Sequence, residues 1–383
     1  MSAWISRDDV LELLGLRAQT LYAYVSRRLI AAHPDPADPR RSLYSLADAE
    51  RLLARRKRGR RAAVVAESAI AWGEAVLPTA ISTVSGGRLF YRGRDAVNFS
   101  ASASLEETAA LLWDVPELPM SSSMLPVGAG LPPVEVALSM LGRAAANSDP
   151  NQGRARASLV TEAAMLLRSL AAALGADLDG NASVAEGLAR AWRCDRRAGE
   201  AIRAALVLTA DHELNASTFA ARVTASTGAP LAAAALSGLA TLLGPVHGGA
   251  SLRARVLVDD AARDGAKAAV QRWLQRGDPL PGFGHPLYPD IDPRAAALLE
   301  RVALPDAAVA LVDEAFAATG LAPNIDFAMV AMAMACELPA DAPFRLFATA
   351  RAVGWLAHAI EQAESGGLIR PRARYTGPVL EAL

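Results

Sequence analysis

Three short segments, far apart in the sequence, each place one proton-transfer side chain among residues that direct the backbone. They are residues 244–249 with His247, residues 282–285 with His285, and residues 324–327 with Asp326. Two imidazoles and one carboxylate can remove a proton from carbon, protonate the resulting enolate and polarise a second carbonyl group. The three segments therefore predict a catalytic set for carbon–carbon bond formation.

The local sequence around each side chain is compatible with this chemistry. His247 precedes a predicted helix, and a helix N-terminus disfavours the imidazolium form, so His247 can act as a neutral proton donor. His285 lies in a predicted irregular loop, which suits a residue that meets the substrate as a site closes. Asp326 lies near a predicted helix start, where it can cap the helix, and burial would raise its pKa toward that of a useful base.

Four further basic side chains predict a substrate with several carboxylates: His212, Arg294, Arg351 and Arg370. Arg351 lies in an apolar helix, where an unpaired guanidinium is costly and a bound carboxylate would pair with it. His212 lies in a polar turn before a helix and can donate a hydrogen bond to a carboxylate. No second histidine follows it at the spacing of a zinc motif, so no metal site is predicted.

The composition indicates a mostly helical protein of more than one domain. The chain has 383 residues, 52% of them apolar and 5% aromatic, with many alanines and leucines. A hairpin is predicted around Gly86 and Gly87, and a capped helix at Ser104. Further helices are predicted at residues 157–173, 183–194, 197–209, 216–225, 229–243, 251–263, 264–275, 294–303, 306–319, 325–336 and 343–364.

The N-terminal segment differs from the rest of the chain in charge and pattern. Residues 1–61 contain 13 basic and 7 acidic residues, a net charge of +6, whereas the whole chain has a net charge of −1. A helix capped at Ser6 with Asp9 as its partner, a turn at Gly15, a second helix and a two-stranded wing are predicted, followed by a helix capped at Ser45. This pattern, over about residues 4–56, resembles the winged helix-turn-helix modules of the MerR type.

The resemblance implies DNA binding through a tentative set of residues: Thr20, Tyr22, Arg27, Arg28, Arg40 and Arg41. Such modules also serve as interaction or dimerisation domains, and the sequence leaves both roles open. The basic run at residues 51–61 can add phosphate contacts, or it can be a solvated helix end and linker.

Residues from about 68 to 383 resemble the citrate synthase family through the segments around His212, His247, His285, Asp326 and Arg351. The resemblance implies an all-α homodimer or higher homo-oligomer, in which large and small domains close over oxaloacetate and acetyl-CoA. It implies no cofactor beyond the acyl-CoA co-substrate. The expected boundaries are residues 1–61 for the winged module, 62–254 for the large domain, 255–343 for the small domain and 344–383 for a segment returning to the large domain.

The resemblance also implies a role for each candidate residue. Asp326 would remove the methyl proton of acetyl-CoA, His247 would protonate the thioester oxygen, and His285 would polarise the oxaloacetate carbonyl. The remaining residues would hold carboxylates, with Arg370 reaching the partner subunit's site: His212, Arg294, Arg351 and Arg370. Water would then hydrolyse citryl-CoA.

The chain departs from the family pattern after His285. Residues 286–289 read Pro-Leu-Tyr-Pro, where many family members have Arg-Val-Tyr-Lys, so two charges expected near the CoA phosphates are absent. Ser251 replaces a common asparagine. Two rival functions stay open: a 2-methylcitrate synthase that uses propionyl-CoA, and a DNA-binding regulator whose synthase-like body senses a metabolite.

Two further patterns concern the compartment. Cys194 and Cys336 lie far apart and suit a reducing environment, and the N-terminus has no apolar stretch typical of a signal peptide. Residues 229–246 are uncharged, but they are rich in alanine and contain two prolines, so a buried helix is predicted there instead of a membrane span. A cytoplasmic location is expected.

Overall fold

The computed structural model describes residues 4–14, 21, 25, 30–35, 38, 41–50, 77–119, 124–127, 130–373 and 375–378. The chain divides into two compact units, Met1–Pro78 and Thr79–Leu383, and each is described by itself. The predicted boundary after residue 61 lies outside the described residues. So do five of the six candidate DNA-contacting residues: Thr20, Tyr22, Arg27, Arg28 and Arg40.

The first unit contains a small antiparallel sheet. Its elements are β1 (Trp4–Ile5), α1 (Arg7–Leu14), β2 (Ala32–Pro34) and β3 (Ser42–Ser45). β3 lies between β1 and β2, with Trp4 opposite Ser45 and His33 opposite Leu43. The buried core of this unit consists of Val10, Leu14, Leu21, Ile30, Tyr44 and Ala49.

Both predicted caps in this unit are present. The Ser6 hydroxyl accepts the Asp9 backbone N–H, and the Asp9 carboxylate accepts the Ser6 backbone N–H, which is a reciprocal capping box. Residues 46–50 are helical, and the Ser45 hydroxyl accepts the Asp48 backbone N–H at 3.3 Å. Arg41, the one described candidate for DNA contact, is exposed, with its Nε 3.5 Å from the Asp38 carboxylate.

The second unit begins with the predicted hairpin. Strands β4 (Ser82–Ser85) and β5 (Arg88–Tyr91) are antiparallel and joined by Gly86 and Gly87, which both have positive φ. A short strand, β6 (Arg94–Asp95), pairs with β5. The alternation of apolar and polar residues on either side of the two glycines had predicted this turn, and the structure confirms it.

Fourteen helices follow within the described part of the second unit. They are α2 (Ala96–Phe99), α3 (Leu105–Leu112), α4 (Pro133–Asn147), α5 (Arg156–Ala173), α6 (Val184–Ala191), α7 (Arg196–Thr209), α8 (Ala216–Ser226), α9 (Leu231–Leu242), α10 (Ala250–Asp264), α11 (Ala266–Gln275), α12 (Pro293–Leu299), α13 (Asp306–Thr319), α14 (Ile325–Ala335) and α15 (Ala342–Ser365). The eleven predicted helices from residue 157 onward all correspond to observed ones, and the capping box of Ser104 with Glu107 opens α3 as predicted. Helix α4 was not predicted.

The buried apolar side chains of the second unit form two clusters. The larger one surrounds α15, a helix of 24 residues that is buried along nearly its whole length. The smaller one contains side chains of α10, α11, α13 and α14, with Trp273 and Phe283 among them. Helix α14 contributes to both clusters, so it connects the two parts of the core. Among the described helices, none has both the length and the apolar character needed to cross a membrane.

Candidate active site

Five of the seven predicted site residues lie at the starts of helices or in the turns between them; Arg351 lies within a helix, and Arg370 lies in the irregular segment after α15. His212 is in the turn between α7 and α8, His247 between α9 and α10, and His285 between α11 and α12. Arg294 and Asp326 lie in the first turns of α12 and α14, and Arg351 lies within α15.

The turn that carries His247 is possible only with glycine at the positions that follow it. A Cβ atom on Gly248 would lie 2.4 Å from the carbonyl oxygen of Leu242, and one on Gly249 would lie 2.8 Å from Cα of Pro245. Both neighbours are backbone atoms of the same turn and cannot move away easily. The two glycines therefore allow α9 to end and α10 to begin close together, with His247 between them.

His212, His285 and Tyr288 form a cluster of aromatic rings. The His212 ring is nearly perpendicular to that of His285, with 5.2 Å between centroids, and its Nε2 is 2.9 Å from the Tyr288 hydroxyl. Burial, reinforced by the charges of Arg294 and Arg351, holds the pKa of His212 well below its ordinary value. His212 is therefore a neutral imidazole at pH 7.

His285 is also neutral, and its tautomer follows from its contacts. Burial lowers its pKa to about 4, and the charge of Arg294 acts in the same direction against a smaller opposite effect of Asp292. Its Nδ1 accepts the Leu287 backbone N–H at 3.2 Å. Since Nδ1 is an acceptor, the proton of the neutral ring is on Nε2, which is then a hydrogen-bond donor.

Arg294 is held by a carboxylate two residues before it. Its Nε and Nη2 donate to the two oxygens of Asp292 at 3.0 and 2.8 Å, and both side chains are almost fully buried. The second Asp292 oxygen also accepts the Ile325 backbone N–H at 3.1 Å, which ties the start of α14 to this pair. Although burial alone would raise the pKa of Asp292, the contacts with Arg294 outweigh it and lower that pKa.

Asp326 does not cap its helix. The Asn324 side chain accepts the backbone N–H groups of Asp326 and Phe327, so Asn324 is the N-cap, and the expectation that Asp326 could serve as the cap is wrong. Its carboxylate makes no hydrogen bond or ion pair within the described residues. Burial raises the pKa of Asp326 to about 6, with Asp292 adding to the effect and Arg294 and Arg351 opposing it. The result is an unpaired carboxylate with the basicity that a proton-abstracting group needs.

His247 is connected to α8 and α15 through one hydroxyl group. Its Nε2 is 2.8 Å from Oγ of Ser217, which also accepts the indole N–H of Trp355 at 3.1 Å. The Ser217 hydroxyl proton has two acceptors within reach, the Asn215 side-chain oxygen at 2.8 Å and His247 Nε2. Burial, with a smaller effect of Arg351, lowers the pKa of His247 to about 4, so this ring too is neutral at pH 7.

Arg351 contributes a buried positive charge with unused donors. Its side chain is 1% exposed, Nε donates to the Thr209 carbonyl at 2.9 Å, and the guanidinium lies over the Phe347 ring. Within the described residues its two terminal amino groups make no hydrogen bond or ion pair. Burial lowers the pKa of Arg351 to about 10, which leaves it charged at pH 7. A fork of free donors in a buried position is suited to a carboxylate ligand.

Six of the seven predicted side chains thus influence one another in one region: His212, His247, His285, Arg294, Asp326 and Arg351. Arg370, the seventh, is exposed and makes no hydrogen bond or ion pair to the described residues. A cavity of about 900 Å³ in the same unit, lined among others by Phe99, Leu111 and Arg168, contains none of the seven. The site is therefore recognised by the convergence of side chains and not by that cavity.

The sequence of the second unit matches a known family over most of its length. The sequence model of the citrate synthase C-terminal domain matches residues 120–372, which is more than half of the chain. The chain belongs to the citrate synthase family.

Individual family members are similar to this chain to different extents. The citrate synthase of Haloferax volcanii is 45% identical over 186 residues, which cover 45% of this chain and 49% of that protein, and the putative citrate synthase 2 of Mycobacterium tuberculosis is 40% identical over 197 residues. The chain spans about half the length of the curated relatives that it matches.

The solved structures of the family cover more of the chain. The citrate synthase of Thermotoga maritima has a TM-score of 0.65 and 27% identity, over 81% of this chain and 96% of that one. The Thermoplasma acidophilum citrate synthase, solved as a ternary complex with carboxymethyl coenzyme A and oxaloacetate, has a TM-score of 0.64 and 26% identity over the same shares. The helical fold of the second unit is thus a citrate synthase fold.

Three residues that the sequence did not single out complete the site of this family member: Ser217, Tyr288 and Asp292. Tyr288 lies within the departing stretch of residues 286–289, yet its ring is buried between His212 and Arg294. In the sequence, Asp292 is recognisable only as part of the Asp-Pro-Arg segment that contains Arg294. Ser217 is one of several polar residues that follow His212. Each has at least one partner 30 or more residues away in sequence, namely His247 for Ser217, His212 for Tyr288 and Ile325 for Asp292, and neither spacing nor composition could reveal these contacts.

Proposed function

We propose that this chain condenses an acyl-CoA, with acetyl-CoA as the first candidate, with oxaloacetate to give citrate and CoA. The main support for the proposal is that Asp326, His247 and His285 lie in one region beside two buried arginines. The chain that contains them belongs to the citrate synthase family. A carboxylate with a raised pKa and two neutral imidazoles are the groups that an enol mechanism at pH 7 requires. No cofactor beyond the acyl-CoA substrate is needed for this chemistry.

In the first step Asp326 takes a proton from the methyl group of the acyl-CoA. Its pKa of about 6 leaves it ionised at pH 7, but makes it a stronger base than an ordinary aspartate. His247 donates a proton to the thioester oxygen, so that a neutral enol forms. This requires the Ser217 hydroxyl to donate to Nε2 of His247, because the ring then carries its proton on Nδ1, which faces away from Ser217.

In the second step the enol carbon attacks the ketone carbon of oxaloacetate. Nε2–H of His285 donates to the ketone oxygen and protonates it as the new carbon–carbon bond forms, while the enol hydroxyl returns its proton to His247 and the thioester carbonyl is restored. Water then reprotonates His285. The oxaloacetate carboxylates are held by His212, by the terminal amino groups of Arg351 and by Nη1 of Arg294, whose other donors are used by Asp292. Water then attacks the thioester carbonyl of citryl-CoA, and CoA leaves as its thiol.

A thiol-release assay tests the proposal directly. Purified protein with oxaloacetate and acetyl-CoA should produce free CoA thiol and citrate in equal amounts, and Asp326→Ala should lower kcat by about 10²–10⁴-fold with an unchanged circular dichroism spectrum. Absence of turnover with either acetyl- or propionyl-CoA at high concentration would reject the synthase function. Retention of most activity in the Asp326 variant would reject the assigned base.

Propionyl-CoA is the main alternative acyl substrate, and its use would make the product 2-methylcitrate. One methyl group changes binding by about 1–3 kcal/mol, so a small change in the acyl pocket decides the preference. Residues 286–289 contain no basic side chain. This affects the binding of the CoA part, which acetyl-CoA and propionyl-CoA share, so it does not favour either substrate. The ratio of kcat/KM for the two acyl-CoAs, measured in the same preparation, distinguishes the two reactions.

We also propose a trans contribution of Arg370 to the site of a partner subunit in a homodimer. In support, Arg370 is exposed and makes no ion pair with the described residues, and guanidinium groups bind carboxylates well. Arg370→Ala and Asp326→Ala should each be inactive alone. Mixed after reversible dissociation, they should recover about a quarter of wild-type activity, because half of the dimers then have one intact site. No recovery would place Arg370 in its own subunit's site or outside any site.

A regulatory function through DNA is the second candidate, and the first unit supports it. That unit has a capped helix, a three-stranded antiparallel sheet and a net charge of +6 over residues 1–61. The proposal is that it is a winged helix-turn-helix module of the MerR type, with Arg27, Arg28 and Arg41 near phosphates. Binding to genomic DNA fragments that changes on addition of oxaloacetate, citrate or CoA would support a regulator. Undetectable DNA binding at low salt would reject the regulator, and the role that remains for the first unit is contact with other proteins.

A further inference from the structure

One face of helix α15 makes four successive polar contacts, three with residues 209–211 directly before His212 and one with Arg222 of α8. Each residue on this face lies three or four positions from another member of the set, which places them on one side of the helix: Arg351, Gly354, Trp355, His358 and Gln362. Arg351 donates to the Thr209 carbonyl and the Gly354 N–H donates to the Ala210 carbonyl at 3.1 Å. His358 contacts Asp211, and Gln362 accepts a hydrogen bond from Arg222.

The contact between His358 and Asp211 is completely buried, and its protonation state follows from its neighbours. Nδ1 of His358 is 3.3 Å from an amino group of Arg222, and a guanidinium can only donate, so Nδ1 must be an acceptor. The ring is therefore neutral with its proton on Nε2. Nε2–H then donates to Oδ2 of Asp211, 3.3 Å away, and the pair is a hydrogen bond between a neutral donor and a carboxylate.

Asp211 depends on this hydrogen bond because it has few others. Oδ2 also accepts a short hydrogen bond from the Ser82 hydroxyl, whereas Oδ1 is buried with no hydrogen-bond partner among the described residues. A buried carboxylate with half of its acceptors unused is costly, so loss of one of its two donors would force the segment to rearrange. Asp211 takes no part in the mechanism proposed above.

Asp211 directly precedes His212, and the chain turns sharply at the next residue. Glu213 has φ of +51°, a left-handed conformation that is uncommon for a residue with a side chain. Two bonds hold it there: its backbone N–H donates to Ser82 Oγ at 3.0 Å, and its carboxylate accepts the Val84 backbone N–H at 2.6 Å. The Ser82 hydroxyl thus bonds both to Asp211, which precedes His212, and to Glu213, which follows it. A change in the hydrogen bonds of Asp211 would therefore shift the backbone at His212.

We propose that His358 and Asp211 are positioning residues for the oxaloacetate side of the site. A chain of buried hydrogen bonds from Arg222 through neutral His358 to Asp211 and Ser82 fixes the strained turn at His212. His212 is thereby placed against Tyr288 and in reach of a substrate carboxylate. The inference rests on the proposed function for the identity of the ligand, oxaloacetate, but not for the hydrogen-bond chain itself.

The test compares three variants of the full chain. His358→Leu removes both hydrogen bonds of the ring, while His358→Gln can restore them, since its oxygen accepts from Arg222 and its amino group donates to Asp211. Thr349→Val is the matched control: it removes a hydroxyl that is equally buried on α15 and that bonds only within the helix, to the Arg345 carbonyl. Melting temperatures of all three show how much each change destabilises the fold.

Two measurements report on position. In ¹⁵N-histidine spectra without substrate, His358 should show the neutral ring with its proton on Nε2, and His358→Leu should shift the His212 ring signals. Oxaloacetate binding by calorimetry should weaken about tenfold or more in His358→Leu and stay within about threefold of wild type in His358→Gln and Thr349→Val.

A charged His358, a proton on its Nδ1, or unchanged His212 signals and affinity in His358→Leu would each overturn the inference. A weakening in Thr349→Val as large as in His358→Leu would also overturn it, because the effect would then reflect loss of stability. If the wild-type protein neither binds nor consumes oxaloacetate, the proposed function fails. The ring signals, which need no substrate, still decide whether His358 positions His212.

Discussion

At the level of single residues, burial shifts the pKa values of the carboxylate and of the imidazoles in the site in opposite directions. Removing water disfavours every charged form, so it raises the pKa of Asp326 to about 6 and lowers those of His247 and His285 to about 4. The arginines act on both kinds of group by favouring negative charge and opposing positive charge. At pH 7 the site therefore contains one ionised carboxylate and neutral imidazoles, each with one N–H group that can donate.

The first prediction is the pH dependence of turnover. Since Asp326 must be ionised to act as a base, kcat/KM should increase with pH up to about 6 and be constant above it. The two catalytic imidazoles, with pKa values of about 4, are neutral over that whole range and add no second limb between pH 5 and 8. Initial rates of thiol release from pH 5 to 8 measure the profile. A rate that is already constant at pH 5 would mean that the carboxylate has the pKa of an ordinary, solvated aspartate.

The second prediction concerns stability and needs no substrate. A folded-state pKa raised from 3.8 to about 6 means that Asp326 costs nothing well below pH 3.8, that its destabilising effect grows as pH rises from 3.8 to 6, and that the effect is constant above that range. Asp326→Asn removes this cost, so its stability relative to wild type should increase between pH 5 and pH 8 by on the order of 1 kcal/mol. Urea unfolding of both proteins at the two pH values measures this change. Equal differences at both would contradict the raised pKa.

The candidate residues could be recognised from the sequence because they are chemically unusual in their surroundings. A histidine between glycines and an arginine in an apolar helix both require an explanation other than packing. Ser217, Tyr288 and Asp292 could not be recognised in this way. Serines and tyrosines are common in turns and cores, and only the folded chain places the Tyr288 hydroxyl beside His212.

At the level of helices and strands, local signals predicted most of the second unit. The cap at Ser104 and the turn at Gly86 depend on contacts within a few residues, so they are visible in the sequence. Helix α4 was missed because two prolines precede its first turn and Gly142 interrupts its pattern. Pro133 occupies the first helical position, where its missing N–H costs nothing, so the prolines begin the helix and do not prevent it.

The third prediction tests how closely α15 approaches the turn of His212. A Cβ atom at Gly354 would lie 2.2 Å from Oδ1 of Asp211 and 2.7 Å from the Ala210 carbonyl, so Gly354→Ala should force the two apart. We expect a loss of about 1–3 kcal/mol in stability, together with weaker oxaloacetate binding.

Gly142→Ala on α4 is the control for that change. No atom lies within 4 Å of its Cβ position, so the substitution should raise stability by about 0.5–1 kcal/mol and leave binding unchanged. Thermal unfolding and calorimetry of both variants measure these effects. A Gly354→Ala protein as stable as Gly142→Ala would show that α15 and the turn are farther apart than described.

At the level of the whole molecule, the chain combines a basic unit with an acidic enzyme-like unit. Residues 1–61 have a net charge of +6, although the whole chain has a net charge of −1. A local positive charge of this size favours binding to polyanions and does not determine the fold. The core of the first unit consists of its own residues, Val10 and Tyr44 among them.

The fourth prediction follows from this separation of charge. The double variant Arg27→Ala, Arg28→Ala should weaken binding to any DNA duplex and reduce the slope of log K against log salt by about 2, because two fewer counterions are released. Its thiol-release rate should equal that of wild type. Arg301→Ala is a control in the second unit, where the Arg301 guanidinium bonds to the Ala297 carbonyl of the preceding helix α12. It removes one charge outside residues 1–61 and should leave the slope unchanged. If the double variant and the control both give the same slope as wild type, Arg27 and Arg28 make no phosphate contacts, and the assignment of these two residues to the DNA interface is wrong.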